Sequence, residues 1–181
     1  MKWMIASDIH GSAYYCEKLL ARFQAEGADR LLLLGDLLYH GPRNELPRDY
    51  RPKAVIEMLN GMKEYITCVR GNCEAEVDQM VLSFPVMADY GVMMLGQKML
   101  YFTHGHLFNE QNPPALKKGD LLLNGHFHVP ACREHEGFVY MNPGSVSIPK
   151  EGSAHSYMTM EDGRFCWVDI EGNVYREYTL K

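Results

Sequence analysis

Short apolar runs alternate with amphipathic stretches along the first half of the chain. Lys2–Ala6 has the pattern of a strand, and Ser12 then stands where a helix N-cap belongs. That helix extends to about Glu26 and is closed by Gly27. Leu31–Leu34 is continuously apolar and short, as a strand buried on both faces would be. A second helix is predicted over Pro52–Met62, with Pro52 tolerated in its first turn, and Ile66–Val69 is a third short strand. Alternation of this kind indicates βαβ units and a mainly parallel sheet.

The second half reads differently. Val92–Leu95 and Met99–Thr103 flank Gly96-Gln97 as a hairpin would. Leu121–Asn124, Phe138–Met141, Ser156–Met160, Phe165–Ile170 and Val174–Thr179 are further strands, separated by turn signals such as Asp162-Gly163 and Gly172-Asn173. Two sheets packed face to face, with helices outside, satisfy both halves. No linker or repeat interrupts the pattern, so residues 1–181 are expected to form one α/β domain.

Composition narrows the function classes. With 46% hydrophobic and 23% charged residues, the chain has the make-up of an ordinary globular protein rather than a disordered one. No apolar run approaches the ~20 residues that span a bilayer, and Asp8 arrives before a signal-peptide core could form. The expected location is the cytoplasm, with no membrane partner. A net charge of −5 without Lys/Arg clusters makes nucleic acid an unexpected partner. Five cysteines in no paired spacing point to reduced thiols, not to disulfides or a Cys-based zinc site.

Metal-seeking side chains sit just past the end of almost every predicted core strand. Asp8 and His10 follow the first, Asp36 the second, Asn72 the third, His104 the fifth, and His126 and His128 the sixth. Parallel strands bring their carboxyl ends to one rim, where ligands of open α/β sheets bind. Two carboxylates, one amide and four imidazoles suit manganese, iron or zinc better than calcium alone or an iron–sulfur cluster. Asp8-Ile9-His10 and His126-Phe127-His128 would each project both members to one side of an extended backbone. Seven ligands exceed one ordinary site and fit two ions sharing a carboxylate. A lone Asp-x-His is usually a solvated turn; here order, number and strand-end placement agree.

The ordered series Asp8-Ile9-His10-Gly11, Gly35-Asp36, Gly71-Asn72, His104-Gly105-His106 and Gly125-His126-Phe127-His128 resembles the calcineurin-like metallophosphoesterases. Connecting stretches are similar to the small bacterial YfcE-type phosphodiesterases: His40–Asn44, Arg70–Glu74, Thr103–Phe108 and Asn142–Lys150. The resemblance implies a two-sheet α/β/β/α sandwich with the metal site at the strand carboxyl ends. It further implies that Asp8, His10, Asp36 and His128 hold one metal. Asp36 would bridge to a second, completed by Asn72, His104 and His126. The expected cofactor is two divalent ions, manganese foremost, with iron, zinc, nickel or cobalt as substitutes. The expected reaction is phosphodiester hydrolysis by a hydroxide shared between the ions.

Many relatives carry a His directly after the Asn ligand as the acid for the leaving group, whereas this chain has Cys73. Beside two cations a thiol favours its thiolate, a poor proton donor. His106 is then the second candidate acid, or the leaving group departs unaided. Arg43 or Asn44 either lies over the phosphate or belongs to a surface turn set by Gly41-Pro42. His135 and His155 are expected to face solvent, and the charges from Glu74 to Asp78 to form a solvated helix face. Asn142–Ser145 fits both a phosphate contact and a Pro-Gly turn.

Two other function classes remain to be weighed. The metallophosphoesterase-like retromer subunit is similar in size and fold but serves as a scaffold, which tolerates lost ligands; all seven ligand types are present here. A nuclease would need a basic groove. The expected partner is therefore a small phosphodiester, with a homo-oligomer left open.

Overall fold

In the computed structural model, which describes residues 1–180, the apolar run at the N-terminus forms β1 (Trp3–Ala6) in the interior of a sheet. The side chain of Ser12 accepts the Tyr15 N–H at 3.3 Å and so caps α1 (Ala13–Ala25). β2 (Arg30–Leu33) pairs in parallel with β1. α2 (Pro52–Gly61) starts at Pro52, whose missing N–H is not needed in a first turn. β3 (Ile66–Cys68) extends the parallel set beside β2, and the short α3 (Glu76–Val81) follows.

The chain then builds a second sheet. β4 (Tyr90–Leu95) and β5 (Lys98–Thr103) form the expected hairpin. Its turn places Gly96 at φ 63°, a conformation that glycine adopts without steric cost. β6 (Asp120–Leu123) and β8 (Phe138–Asn142) run parallel to β5 and to each other, and β7 (Ala131–Glu134) closes the edge. β7 was not anticipated, because its Arg133 and Glu134 are exposed and leave no apolar pattern. β9 (Ser156–Glu161), β10 (Arg164–Asp169) and β11 (Val174–Thr179) return antiparallel to the first sheet. The orders are β11-β10-β9-β1-β2-β3 and β4-β5-β6-β8-β7.

Alternate residues of the buried strands serve different layers. Ile5, Leu32, Phe102, Leu121, Met158 and Trp167 meet between the sheets, while Met4, Leu31 and Leu33 face Leu19, Phe23, Val55 and Leu59 of α1 and α2. On the outer face of the second sheet, Phe108 and Leu116 pack against Tyr101, Leu122 and Tyr140. Each fully buried aliphatic or aromatic side chain contributes ~1.5–3 kcal/mol. All five cysteines are free thiols, and no described helix is long and apolar enough to cross a membrane. The carboxyl ends of β1, β2, β3, β5 and β6 therefore meet at one rim.

Candidate metal centre

The loops leaving those strand ends do not continue as extended backbone. Asp8 (φ 60°), His10 (49°), Asp36 (55°), His126 (65°) and His128 (61°) all adopt the left-handed region. Such a conformation is uncommon outside glycine and, where tertiary packing enforces it, typical of functional sites. The expectation that each x-separated pair projects to one side of an extended chain is therefore corrected. His126 turns towards His104, with ring centroids 5.0 Å apart, whereas His128 turns towards His10 at 5.1 Å. One tripeptide thus serves both halves of the site.

All seven predicted residues converge. His10 Nε2 lies 3.5 Å from Asp8 Oδ1, 3.6 Å from Asp36 Oδ2 and 3.4 Å from His128 Nε2. His128 Nε2 is 3.2 Å from Asp8 Oδ1. On the other side, His104 Nε2 is 3.5 Å from Asp36 Oδ2, 3.2 Å from Asn72 Oδ1 and 3.2 Å from His126 Nδ1. Asp36 Oδ2 thus stands between the two histidine groups. Asp8, His10, Asp36, His104 and His128 are buried, while Asn72 is exposed.

The protonation pattern indicates what belongs among them. His10 Nδ1 donates to the Tyr39 carbonyl at 2.7 Å, His104 Nδ1 to Leu34 at 2.6 Å, and His128 Nδ1 to Ile148 at 2.8 Å. A carbonyl only accepts, so each neutral ring carries its proton on Nδ1 and presents the Nε2 lone pair inward. Those lone pairs face carboxylate oxygens, acceptor against acceptor. Asp8 Oδ1 is buried without a hydrogen-bond donor among the described residues. Cations resolve such a cluster, and the mixed oxygen and nitrogen donors fit first-row divalent metals. Protons compete for the same lone pairs. Burial opposes protonation of His104, but Asp36 and Asp8 outweigh it and raise its pKa to about 9. Burial would likewise raise Asp8, yet His10 and His128 hold it well below the usual carboxylate range.

The loops are held by groups that sequence patterns did not reveal. Glu74 is 5% exposed, not part of a solvated helix face, because helix α3 begins only at Glu76. Its carboxylate accepts the backbone N–H groups of Asp36 at 2.9 Å, Leu37 at 2.7 Å and Gly71 at 2.5 Å. Burial and the Asp36 charge raise its pKa, against these three donors. Gly71 must be glycine there, since a Cβ would overlap Asp36 Oδ1. The Asn142–Ser145 stretch is a buttress rather than a phosphate contact. Asn142 Nδ2 donates to the Gly125 carbonyl at 2.7 Å, and the hydroxyls of Ser145 and Ser147 donate to the Asp8 carbonyl at 2.8 and 2.9 Å.

A profile of the calcineurin-like phosphoesterase superfamily domain matches residues 1–162. The chain belongs to the calcineurin-like phosphoesterase superfamily. It is 48% identical over 162 residues to phosphodiesterase YfcE of Escherichia coli K12, spanning 90% of this chain and 88% of that protein. The solved structure of the Escherichia coli phosphoesterase YfcE superposes with a TM-score of 0.96 at 42% identity, covering all of both chains. Vps29 of Entamoeba histolytica shares the fold alone, at TM-score 0.66 and 17% identity over the whole of both chains.

In this superfamily member a cleft of about 410 Å³ opens over the site, walled by Asp36, Asn72, Cys73, His126 and His128. Arg43, Asn44 and Lys150 complete its rim. The Asn44 amide is committed to the His40 carbonyl at 2.8 Å, closing the turn, which leaves Arg43 and Lys150 as the cations. Lys150 was missed as an individual residue; the only trace of it was its place at the end of the Asn142–Lys150 motif. Cys73 donates its backbone N–H to Asp36 Oδ1 at 2.9 Å, and burial and the Asp36 charge push its thiol pKa up. His106 is half-buried, with its ring centroid 5.5 Å from that of His104, and is not among the residues walling the cleft. His135 is partly exposed and bonded to Glu110 at 2.8 Å. His155 departs from the expected solvent-facing role: it stacks on Tyr15 with centroids 4.0 Å apart.

Proposed function

We propose that the chain hydrolyses small phosphodiesters with two divalent ions, manganese foremost, at the strand-end rim. Asp8, His10, Asp36 and His128 would hold the first ion, and Asp36, Asn72, His104 and His126 the second. The observation that carries this reading is the convergence of imidazole lone pairs on the Asp8 and Asp36 carboxylates, with no donor for Asp8 Oδ1 among the described residues. The superfamily and the 48% identity to a phosphodiesterase support the reaction class. When bound, the ions supply Lewis acidity and lower the pKa of water towards neutrality.

The chain's own residues do the rest. Glu74 holds the Asp36 backbone N–H, and the Cys73 N–H donates to Asp36 Oδ1, so that the carboxylate is oriented relative to the two histidine groups. Arg43 and Lys150 on the cleft rim attract the anionic diester and offset charge that develops as the ester bond breaks. Cys73 walls the cleft, where a thiol is a poorer general acid than an imidazole. His106 is not among the residues walling the cleft. Protonation of the leaving oxygen is thus the weakest part of the machinery, and activated diesters are the favoured substrates.

The test is hydrolysis of bis-p-nitrophenyl phosphate and p-nitrophenyl phosphate by metal-stripped protein with manganese, zinc, nickel or magnesium restored. Manganese-dependent turnover of the diester, lost in Asp36→Asn, is the expected result. No turnover with any metal, in protein shown to hold two ions, would return the chain to a scaffold role.

A further inference from the structure

Phe127 stands between two candidate ligands that turn inward, His126 towards His104 and His128 towards His10, while Phe127 itself remains partly exposed. It is 38% exposed, is not among the described core clusters, and its ring lies T-shaped to that of His126, at 5.2 Å between centroids and 78° between planes. Its ring is a wall shared by two depressions. One is the cleft over the site, with Arg43 and Lys150 on its rim. The other, about 270 Å³, is also bordered by Phe127 and is lined by Gln111, Val129, Arg133 and Tyr140, with the carboxylates of Glu110 and Glu151.

The two depressions differ in chemistry. The first is cationic and contains Cys73, which suits an arm that departs as an oxyanion. In the second, Arg133 is neutralised by Glu110 at 2.7 Å and lies 5.3 Å from the centroid of the Tyr140 ring. What remains for a ligand is the Phe127 face, the Val129 wall, the Gln111 side chain and the Glu151 carboxylate, a lining without free positive charge that suits a neutral arm rather than the phosphate. A phosphodiester has two arms, and only one leaves.

We infer that the retained arm of the substrate is a flat aromatic group that stacks on Phe127 in this second depression. The inference rests on the proposed phosphodiesterase reading and names the class of diester it acts on. Aromatic rings bind such platforms through their π-faces with little regard to substituents, so both aryl and nucleoside arms belong to this class.

Titration of the manganese-loaded protein with diphenyl phosphate and with dimethyl phosphate isolates the stacking contact from the phosphate contact. Phe127→Ala should weaken diphenyl phosphate by roughly ten-fold, the size of one stacking interaction, and leave dimethyl phosphate within about two-fold. Phe127→Tyr should restore the aryl preference. Equal loss for both probes, or no loss for either, would overturn the aromatic subsite even in an active enzyme. Turnover of bis-p-nitrophenyl phosphate, followed in parallel, reports on the hydrolase itself. If it is absent while Phe127-dependent binding persists, the subsite stands and the reaction reading fails.

Discussion

Glu74 accepts the backbone N–H of Asp36 at 2.9 Å from 38 positions along the chain, and the same carboxylate holds Leu37 and Gly71. The candidate bridging ligand is therefore set by a carboxylate that is itself buried. Glu74→Ala leaves three buried donors unpaired, at a cost of about 1–3 kcal/mol each if water does not enter. We expect lower unfolding stability in urea and a 10–100-fold loss of manganese affinity, with Glu74→Gln intermediate. A stability loss with unchanged manganese affinity would show that the clamp does not position the ligands.

Cys73 occupies the cleft wall where an imidazole would make a better acid. Cys73→His should raise turnover of diesters with poor leaving groups by roughly ten-fold or more, up to the ~10²–10⁴ that general acid catalysis supplies. It should do little for p-nitrophenyl esters. Rates measured across a leaving-group series check this; an unchanged slope counts against the leaving-group account.

The strand ends were legible because parallel strands buried on both faces leave unbroken apolar runs such as Leu31–Leu34, and each run is followed by a metal-seeking side chain. The left-handed backbone at Asp8, His10 and Asp36 was not, because tertiary contacts impose it against local preference. Glu74 looked like any solvated charge; the donors that make its burial tolerable come from a loop distant in sequence. β7 escaped for the opposite reason, as its Arg133 and Glu134 are exposed.

Away from the site, Glu26 accepts hydrogen bonds from Lys2 at 2.7 Å, Arg22 at 3.0 Å and Tyr157 at 2.8 Å. Burial would raise its pKa, but these donors prevail and lower it. A folded value below the unfolded ~4.3 gives stability that is fully present above that pH and lost as pH falls through the folded value. Glu26→Gln should cost about 1 kcal/mol near pH 7. Unfolding curves at successive pH values should show the gap to the parent protein closing below about pH 4.

His155 donates from Nδ1 to the Val146 carbonyl at 2.8 Å, and its Nε2 pairs with Tyr15 Oη at 2.9 Å, tying α1 to the loop that buttresses Asp8. Removing these contacts and the ring stack by His155→Ala should cost about 1 kcal/mol, or a Tm decrease of roughly 2–4 °C in a chain of this size. Calorimetry should show that decrease with the manganese stoichiometry unchanged. A lost ion would mean that His155 acts on the centre through the loop.

The most direct test is the metal content of the stripped protein after dialysis against manganese, measured for the parent chain and for Asp36→Asn. Two ions per chain in the parent, with at least one lost in the variant, are predicted for a shared Asp36 carboxylate. One ion or none in the parent, or two retained without Asp36, would contradict the two-metal centre.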